Sequence, residues 1–171
     1  LEEFREHGLY GPNAQEATFE KLHELSYLPA VIKEVMRVGH IVPCGLHRAV
    51  PKDMTILGYR VPKNTTVLMV STRGMNTEAE LGDPEVFRPE RWLTDEDLSD
   101  VYYMGFSYGP RSCAGQRLAQ LEMRVTIFGL VTKYHLSLEG TLEDLLENAE
   151  DGFAIAAKDG IWLNVTPRSP V

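Results

Sequence analysis

Phe106-Ser107-Tyr108-Gly109-Pro110-Arg111-Ser112-Cys113-Ala114-Gly115 carries the densest chemistry of this 171-residue chain. Two glycines and a proline shape a tight loop, and after it Leu118, Leu121, Val125, Phe128 and Val131 recur at helical spacing. The spacing predicts a final helix over residues 115–133, about 18 residues long. Cys113 therefore stands at a helix start, where unpaired backbone N–H groups and the helix dipole favour negative charge. A thiolate held there is a good iron ligand, and Gly115 lets backbone approach a flat macrocycle closely. Arg111, two residues earlier, presents a fork of donors that suits a carboxylate. From these residues alone a packed small residue, a redox thiol and a plain surface arginine stay open as readings.

Outward from the loop, the chain alternates helix and short β-prone runs. Leu28, Val31, Ile32, Val35 and Met36 recur at helical spacing after Ser26, a natural N-cap, with Pro29 in the first turn and Gly39 beyond the last. This predicts a helix over residues 27–38, on which Glu34 and Arg37 stand three apart on one face and can pair. Residues 47–71 break into β-prone runs at Arg48 to Val50, Thr55 to Leu57 and Thr65 to Val70, a small antiparallel sheet or meander. Residues 76–105 are rich in Gly, Pro, Asp and Arg without periodicity, too long for an ordinary connection, and aromatic enough to be functional. Near the end, the runs flanking Lys158-Asp159-Gly160 predict a terminal hairpin over residues 153–165. The fold class expected is mainly α with small β-sheets.

With 43% hydrophobic residues the chain can bury one sizeable core, as one domain or part of one. A net charge of −8 argues against a nucleic-acid partner. The opening Leu1-Glu2-Glu3-Phe4-Arg5-Glu6 has none of the apolar run that a signal peptide or membrane anchor needs, so the cellular address is not legible here. Cys44 and Cys113 lie far apart in contrasting settings, which suggests neither a disulfide framework nor a zinc ribbon and leaves a single bridge between them open.

The cysteine loop resembles the haem-binding signature of the cytochrome P450 family, Phe-x-x-Gly-x-Arg-x-Cys-x-Gly, matched at Phe106, Gly109, Arg111, Cys113 and Gly115. Other family motifs follow in the family's order. A Glu-x-x-Arg pair appears as Glu34 and Arg37, and a Pro-Glu-Arg segment, Phe87-Arg88-Pro89-Glu90-Arg91-Trp92, supplies Arg91 as the third member of a structural trio. The resemblance covers nearly the whole chain, as the C-terminal portion of the fold in an eukaryotic-type member. It implies haem b, iron protoporphyrin IX, ligated through Cys113, with Arg111 and Arg48 on the haem propionates and His47 as a weaker neighbour. It also implies a monooxygenase that inserts one atom of dioxygen into a small, lipophilic organic substrate. The electron donor would be a flavoprotein reductase or a ferredoxin, meeting charges such as Lys33, Arg111, Arg117 and Arg124. The parent protein would be membrane-associated, at the endoplasmic reticulum or in the mitochondrion. The family's long oxygen-activating helix has no counterpart in this sequence, so the chain alone is expected to be inactive. Met75-Asn76-Thr77-Glu78 departs from a run common in relatives, which bears on subfamily and not on haem ligation.

Four other readings compete. Some haem-thiolate relatives isomerise or dehydrate peroxides without an electron donor. A non-catalytic, truncated piece is another possibility. Cys113 as a nucleophile, with His135 or another histidine as base, needs that base in reach and an oxyanion hole, and no cysteine-hydrolase wording surrounds it. A zinc module of Cys44, His47 and Cys113 falls one ligand short of a structural site.

Overall fold

The computed structural model describes residues 1–39, 46–70, 81, 83–94, 105–141, 144, 147–150 and 156–169. Two short helices, α1 (Glu2–Glu6) and α2 (Phe19–Glu24), precede the longer α3 (Tyr27–Gly39). Four strands follow: β1 (Leu46–Ala49), β2 (Met54–Ile56), β3 (Tyr59–Val61) and β4 (Thr66–Met69). After them come the single turn α4 (Arg91–Thr94), a 3-10 turn at Gly109–Arg111 and the 18-residue α5 (Gln116–Lys133). The chain ends in β5 (Tyr134–Leu138), β6 (Ala149–Glu150), β7 (Ala156–Ala157) and β8 (Leu163–Pro167). The architecture is thus helical with small antiparallel sheets, each of two strands.

Phe4, Leu9, Leu22, Leu25, Leu28 and Ile32 form the buried cluster, against which Met36 of α3 and Met123, Ile127, Phe128 and Val131 of α5 pack. Phe4 and Phe128 meet edge to face, centroids 5.0 Å apart, the arrangement their ring quadrupoles favour. The periodic stripe of α5 divides here. Phe128 and Val131 reach the core, whereas Leu118 and Val125 are exposed. Arg124 donates to the Leu22 carbonyl at 2.9 Å, tying α5 to α2.

Ser26 does not cap α3 with its hydroxyl. The carboxylate of Glu3, on α1, accepts from the backbone N–H groups of Ser26 at 2.7 Å, Tyr27 at 2.5 Å and Leu28 at 3.0 Å, and from the Ser26 hydroxyl at 3.3 Å. A negative charge on the orphan donors of a helix start is favourable. No local sequence signal announces a cap that comes from 23 residues upstream.

The β region is nested, not a consecutive meander. β1 pairs with β4 (Leu46↔Met69 to Ala49↔Thr66), and the hairpin β2–β3, with Met54↔Val61 and Ile56↔Tyr59 opposed, sits between them in sequence. Tyr59–Val61 completes a strand that the reading of 47–71 left unassigned. Its two-residue loop is Leu57-Gly58, with φ of +50° and +84°. Positive φ at both positions belongs to the turn that best matches strand twist, and it suits Asn-Gly far better than Leu-Gly. Leu57→Asn is therefore expected to raise stability by about 1 kcal/mol, readable as a higher urea midpoint of the intact protein.

The expected terminal hairpin over 153–165 is corrected. Gly160, with φ of +79°, does turn the chain, but the strands on either side pair elsewhere: β7 with β6, and β8 with β5 (Tyr134↔Pro167 to Leu138↔Leu163). The Asp-Gly signal reports only the turn. β5 carries an alternating pattern, with Tyr134, Leu136 and Leu138 half-buried and His135 and Ser137 exposed, and it offers β8 a five-residue partner. Residues 151–155, and with them much of the expected first hairpin strand, lie outside the described residues.

Candidate functional site

Two constellations carry the chemistry. The first is a buried ion cluster that joins α3 to the Pro-Glu-Arg segment. Glu34 and Arg37 share one face of α3 and are fully buried, and Arg91 opens α4 with almost no exposure. Arg37 grips the Glu34 carboxylate with two donors, Nε to Oε2 at 3.0 Å and Nη2 to Oε1 at 2.8 Å. Arg91 Nε donates to Oε1 at 3.2 Å. Two further donors escaped the sequence reading: the Arg88 backbone N–H, at 2.9 Å from Oε1, and the Trp92 indole Nε1, at 2.8 Å from Oε2.

The arginines spend their remaining donors on the loop itself. Arg37 reaches the carbonyls of Pro84 (2.8 Å) and Val86 (3.3 Å). Arg91 reaches those of Leu81 (3.0 Å), Asp83 (3.1 Å) and Val86 (2.9 Å), and the Asp83 carboxylate at 3.1 Å. A loop without regular structure thus finds partners for its carbonyls in guanidinium groups. Burial works to raise the Glu34 carboxyl's pKa, but the Arg37 side chain, the Arg88 N–H and the Trp92 indole outweigh it and bring it down to about 2. Glu34 is therefore ionised at neutral pH.

The second constellation is the cysteine loop. Its backbone closes through Cys113 N–H to the Phe106 carbonyl at 2.9 Å and Ser112 N–H to the Gly109 carbonyl at 3.0 Å. Gly109 takes φ of +78°, and Ser107 takes +64°, a conformation that a serine adopts at a cost. The loop hands the chain to α5 at Gly115, its N-cap. Cys113 is a free thiol, exposed, with no hydrogen bond from its sulfur among the described residues. A side chain built on Gly115 would meet only the Cys113 sulfur, at 3.9 Å. Nothing else among the described residues requires glycine there, and what the glycine preserves is open space beside the thiol.

Arg111 is exposed and makes no hydrogen bond or ion pair among the described residues, so its donors are available two residues from the thiol. Phe106 is half-buried at the start of the loop. Arg48 and His47 lie exposed on β1, and Arg48 donates to the His47 carbonyl at 2.9 Å. No hydrogen bond or ion pair among the described residues links either of them to the cysteine loop. Of the four cations considered for a redox partner, Arg124 is committed internally to the Leu22 carbonyl, and burial pushes its pKa down. Lys33 lies over the Trp92 ring, 5.6 Å from its centroid.

The nucleophile and zinc readings gain no support from the described residues. His135 Nε2 lies 3.2 Å from Arg168 Nη1 on β5, and no base contacts the Cys113 sulfur. Cys44, needed for both a disulfide and a zinc site, lies outside the described residues, among which no group of ligands is arranged for a metal ion.

Comparison with known proteins gives this geometry its context. The family described as Cytochrome P450 matches residues 6–163. Cytochrome P450 12b1, mitochondrial, from Drosophila acanthoptera is 39% identical over 132 residues, which are 70% of this chain and 25% of the relative. The cytochrome P450 monooxygenase aclL of Aspergillus oryzae is 36% identical over 152 residues, 86% of this chain and 29% of the relative. The chain thus spans between a quarter and a third of the length of these curated relatives. The crystal structure of the heme domain of a cytochrome P450DA mutant superposes with a TM-score of 0.81 over 96% of this chain and 37% of its own, at 21% identity, a likeness of fold. With the family matched from residue 6 to residue 163, and helices, small sheets and cysteine loop laid out on that fold, the chain belongs to the cytochrome P450 family.

Proposed function

We propose that this chain forms the proximal, thiolate-bearing side of a haem monooxygenase, with Cys113 as the axial ligand of the iron. The observation that carries the reading is the free, exposed Cys113 at the mouth of an 18-residue helix, beside a glycine that leaves space next to the sulfur. These residues fit haem b. The thiol makes no hydrogen bond among the described residues, the loop around it is closed by its own backbone, and the N-terminal end of α5 that follows it favours negative charge. When bound, the haem supplies iron that takes electrons and dioxygen, with thiolate donation assisting O–O cleavage.

The protein's own part is positional. Arg111 holds a propionate, and Arg48, with His47 beside it, supplies a second cation from β1. Phe106 lends an aromatic edge at the loop entrance, Gly109 allows the turn, and Gly115 keeps the backbone clear of the macrocycle. Glu34, Arg37 and Arg91 fix the Pro-Glu-Arg segment on α3, and through it the frame around the loop. By its family the parent protein takes electrons from a flavoprotein reductase or a ferredoxin, acts on a small lipophilic substrate and works at a membrane, in the endoplasmic reticulum or the mitochondrion. The segments that activate oxygen and enclose the substrate belong to the remainder of such a protein, so this chain alone is not expected to turn over substrate.

Arg111 offers the direct test of the propionate assignment. A charge-assisted hydrogen bond contributes about 1.5–3 kcal/mol. Arg111→Gln should therefore speed haem loss from the intact protein to an apomyoglobin acceptor roughly tenfold or more, while the melting temperature is kept, since Arg111 makes no hydrogen bond or ion pair among the described residues. Unchanged haem loss would remove Arg111 from the site.

A further inference from the structure

α2 and the first half of α5 enclose a cavity of about 520 Å³, a volume within the usual range of ligand sites, about 300–1,000 Å³. Phe19 and His23 line it from α2, and Gln116, Arg117, Gln120 and Arg124 line it from α5. Steps of four place Gln116, Gln120 and Arg124 on one face of that helix. The Phe19 and His23 rings stack, with centroids 5.7 Å apart and planes 22° from parallel, so the α2 side of the cavity carries a flat aromatic wall.

The α5 side is polar, and its groups have few partners within the chain. The side chains of Gln116, Arg117 and Gln120 make no hydrogen bond or ion pair among the described residues, and Arg124 gives one donor to the Leu22 carbonyl at 2.9 Å. Gln116, Gln120 and Arg124 are half-buried, a setting in which polar groups ordinarily find partners. No carboxylate lines the cavity, and neither arginine has an ion pair among the described residues, in a chain of net charge −8. Burial pushes the Arg124 pKa down and outweighs the attraction of Glu3, the direction for a cation short of an anion. Two guanidinium groups suit the doubly charged oxygens of a phosphate. Each glutamine amide offers both a donor and an acceptor, which suits the edge of a heterocycle, and an aromatic wall suits its face. An acidic side chain of a protein partner would use the arginines but neither the amides nor the rings.

We propose that the cavity between α2 and α5 binds a nucleoside monophosphate, with the base against Phe19 and His23 and beside the Gln116 and Gln120 amides, and the phosphate held by Arg117 and Arg124. The site makes no use of Cys113 or Arg111, so it stands independently of the haem assignment.

Calorimetric titration of the intact protein with adenosine monophosphate tests it, with adenosine and inorganic phosphate as the two halves of the probe. The monophosphate is expected to bind saturably and about ten times more tightly than either half. Arg117→Gln should weaken the monophosphate about tenfold, the scale of one charge-assisted hydrogen bond, and leave adenosine unchanged. Phe19→Ala should weaken the monophosphate and adenosine by about the same factor, the scale of one base stacked on an aromatic ring, and leave phosphate unchanged. Both side chains are exposed, so both variants should keep the wild-type melting temperature, which separates a lost site from a lost fold. An intact protein that does not bind the monophosphate would overturn the site, as would binding that neither substitution weakens, since the ligand would then lie elsewhere. Inorganic phosphate bound as tightly as the monophosphate would reduce the cavity to a plain anion site and overturn the nucleotide assignment.

Discussion

Replacing Glu34 with alanine is expected to destabilise the protein by about 3–5 kcal/mol, the cost of leaving buried charges without their partner. The size follows from what one carboxylate does here. It accepts five hydrogen bonds, from Arg37 twice, Arg91, the Arg88 backbone and the Trp92 indole. Removing it takes the shared carboxylate from two guanidinium groups in a space with almost no access to water, of which Arg91 keeps its contact with Asp83. Against a typical domain stability of about 5–15 kcal/mol, the loss is large enough to leave little folded protein. Glu34→Gln keeps the shape but not the charge, so it should fall between the wild type and alanine in urea midpoint. A Glu34→Ala protein as stable as the wild type would show that the cluster is not what holds the Pro-Glu-Arg segment.

The same cluster sets an acid limit. Glu34 has a folded pKa of about 2 against an ordinary value of 4.5. A depressed folded pKa contributes stability that is fully present above the unfolded value and is lost as the pH falls through the folded one. The difference corresponds to about 3 kcal/mol, present at neutral pH and lost progressively from about pH 4.5 towards pH 2. Urea midpoints measured down that range should fall in the wild type and fall less in Glu34→Gln.

Local pattern made some of this legible and left some hidden. The helix Tyr27–Gly39 and the start of α5 announce themselves by apolar spacing, and the cysteine loop by a motif specific enough to need no partner elsewhere. Glu34 and Arg37 are visible as a pair three residues apart. The Trp92 indole and the Arg88 N–H are not, because their contacts with Glu34 span 58 and 54 residues and follow from how the loop folds back. The Glu3 cap was hidden for the same reason. The pairing of the terminal strands is not legible, because an Asp-Gly turn fixes where the chain reverses and not which strands pair. Leu118 and Val125 fit the stripe of α5 by number yet face away from the core, since a helix that packs mainly through its second half does not bury every periodic position.

Cys113→Ala is expected to have the other large effect, on the cofactor and not on the fold. The Cys113 side chain is exposed and its sulfur makes no hydrogen bond among the described residues, so its removal should leave the melting temperature of the haem-free protein within about 0.5 kcal/mol of wild-type stability. What it would remove is the sulfur that, on the proposed reading, holds the haem iron. The central claim is therefore tested most directly by the absorption spectrum of the intact, dithionite-reduced protein under carbon monoxide, wild type beside Cys113→Ala. Thiolate ligation predicts a strongly red-shifted Soret band in the wild type and its complete loss in the variant. A well-folded wild type without that band, or a variant that keeps it, would contradict Cys113 as the iron ligand.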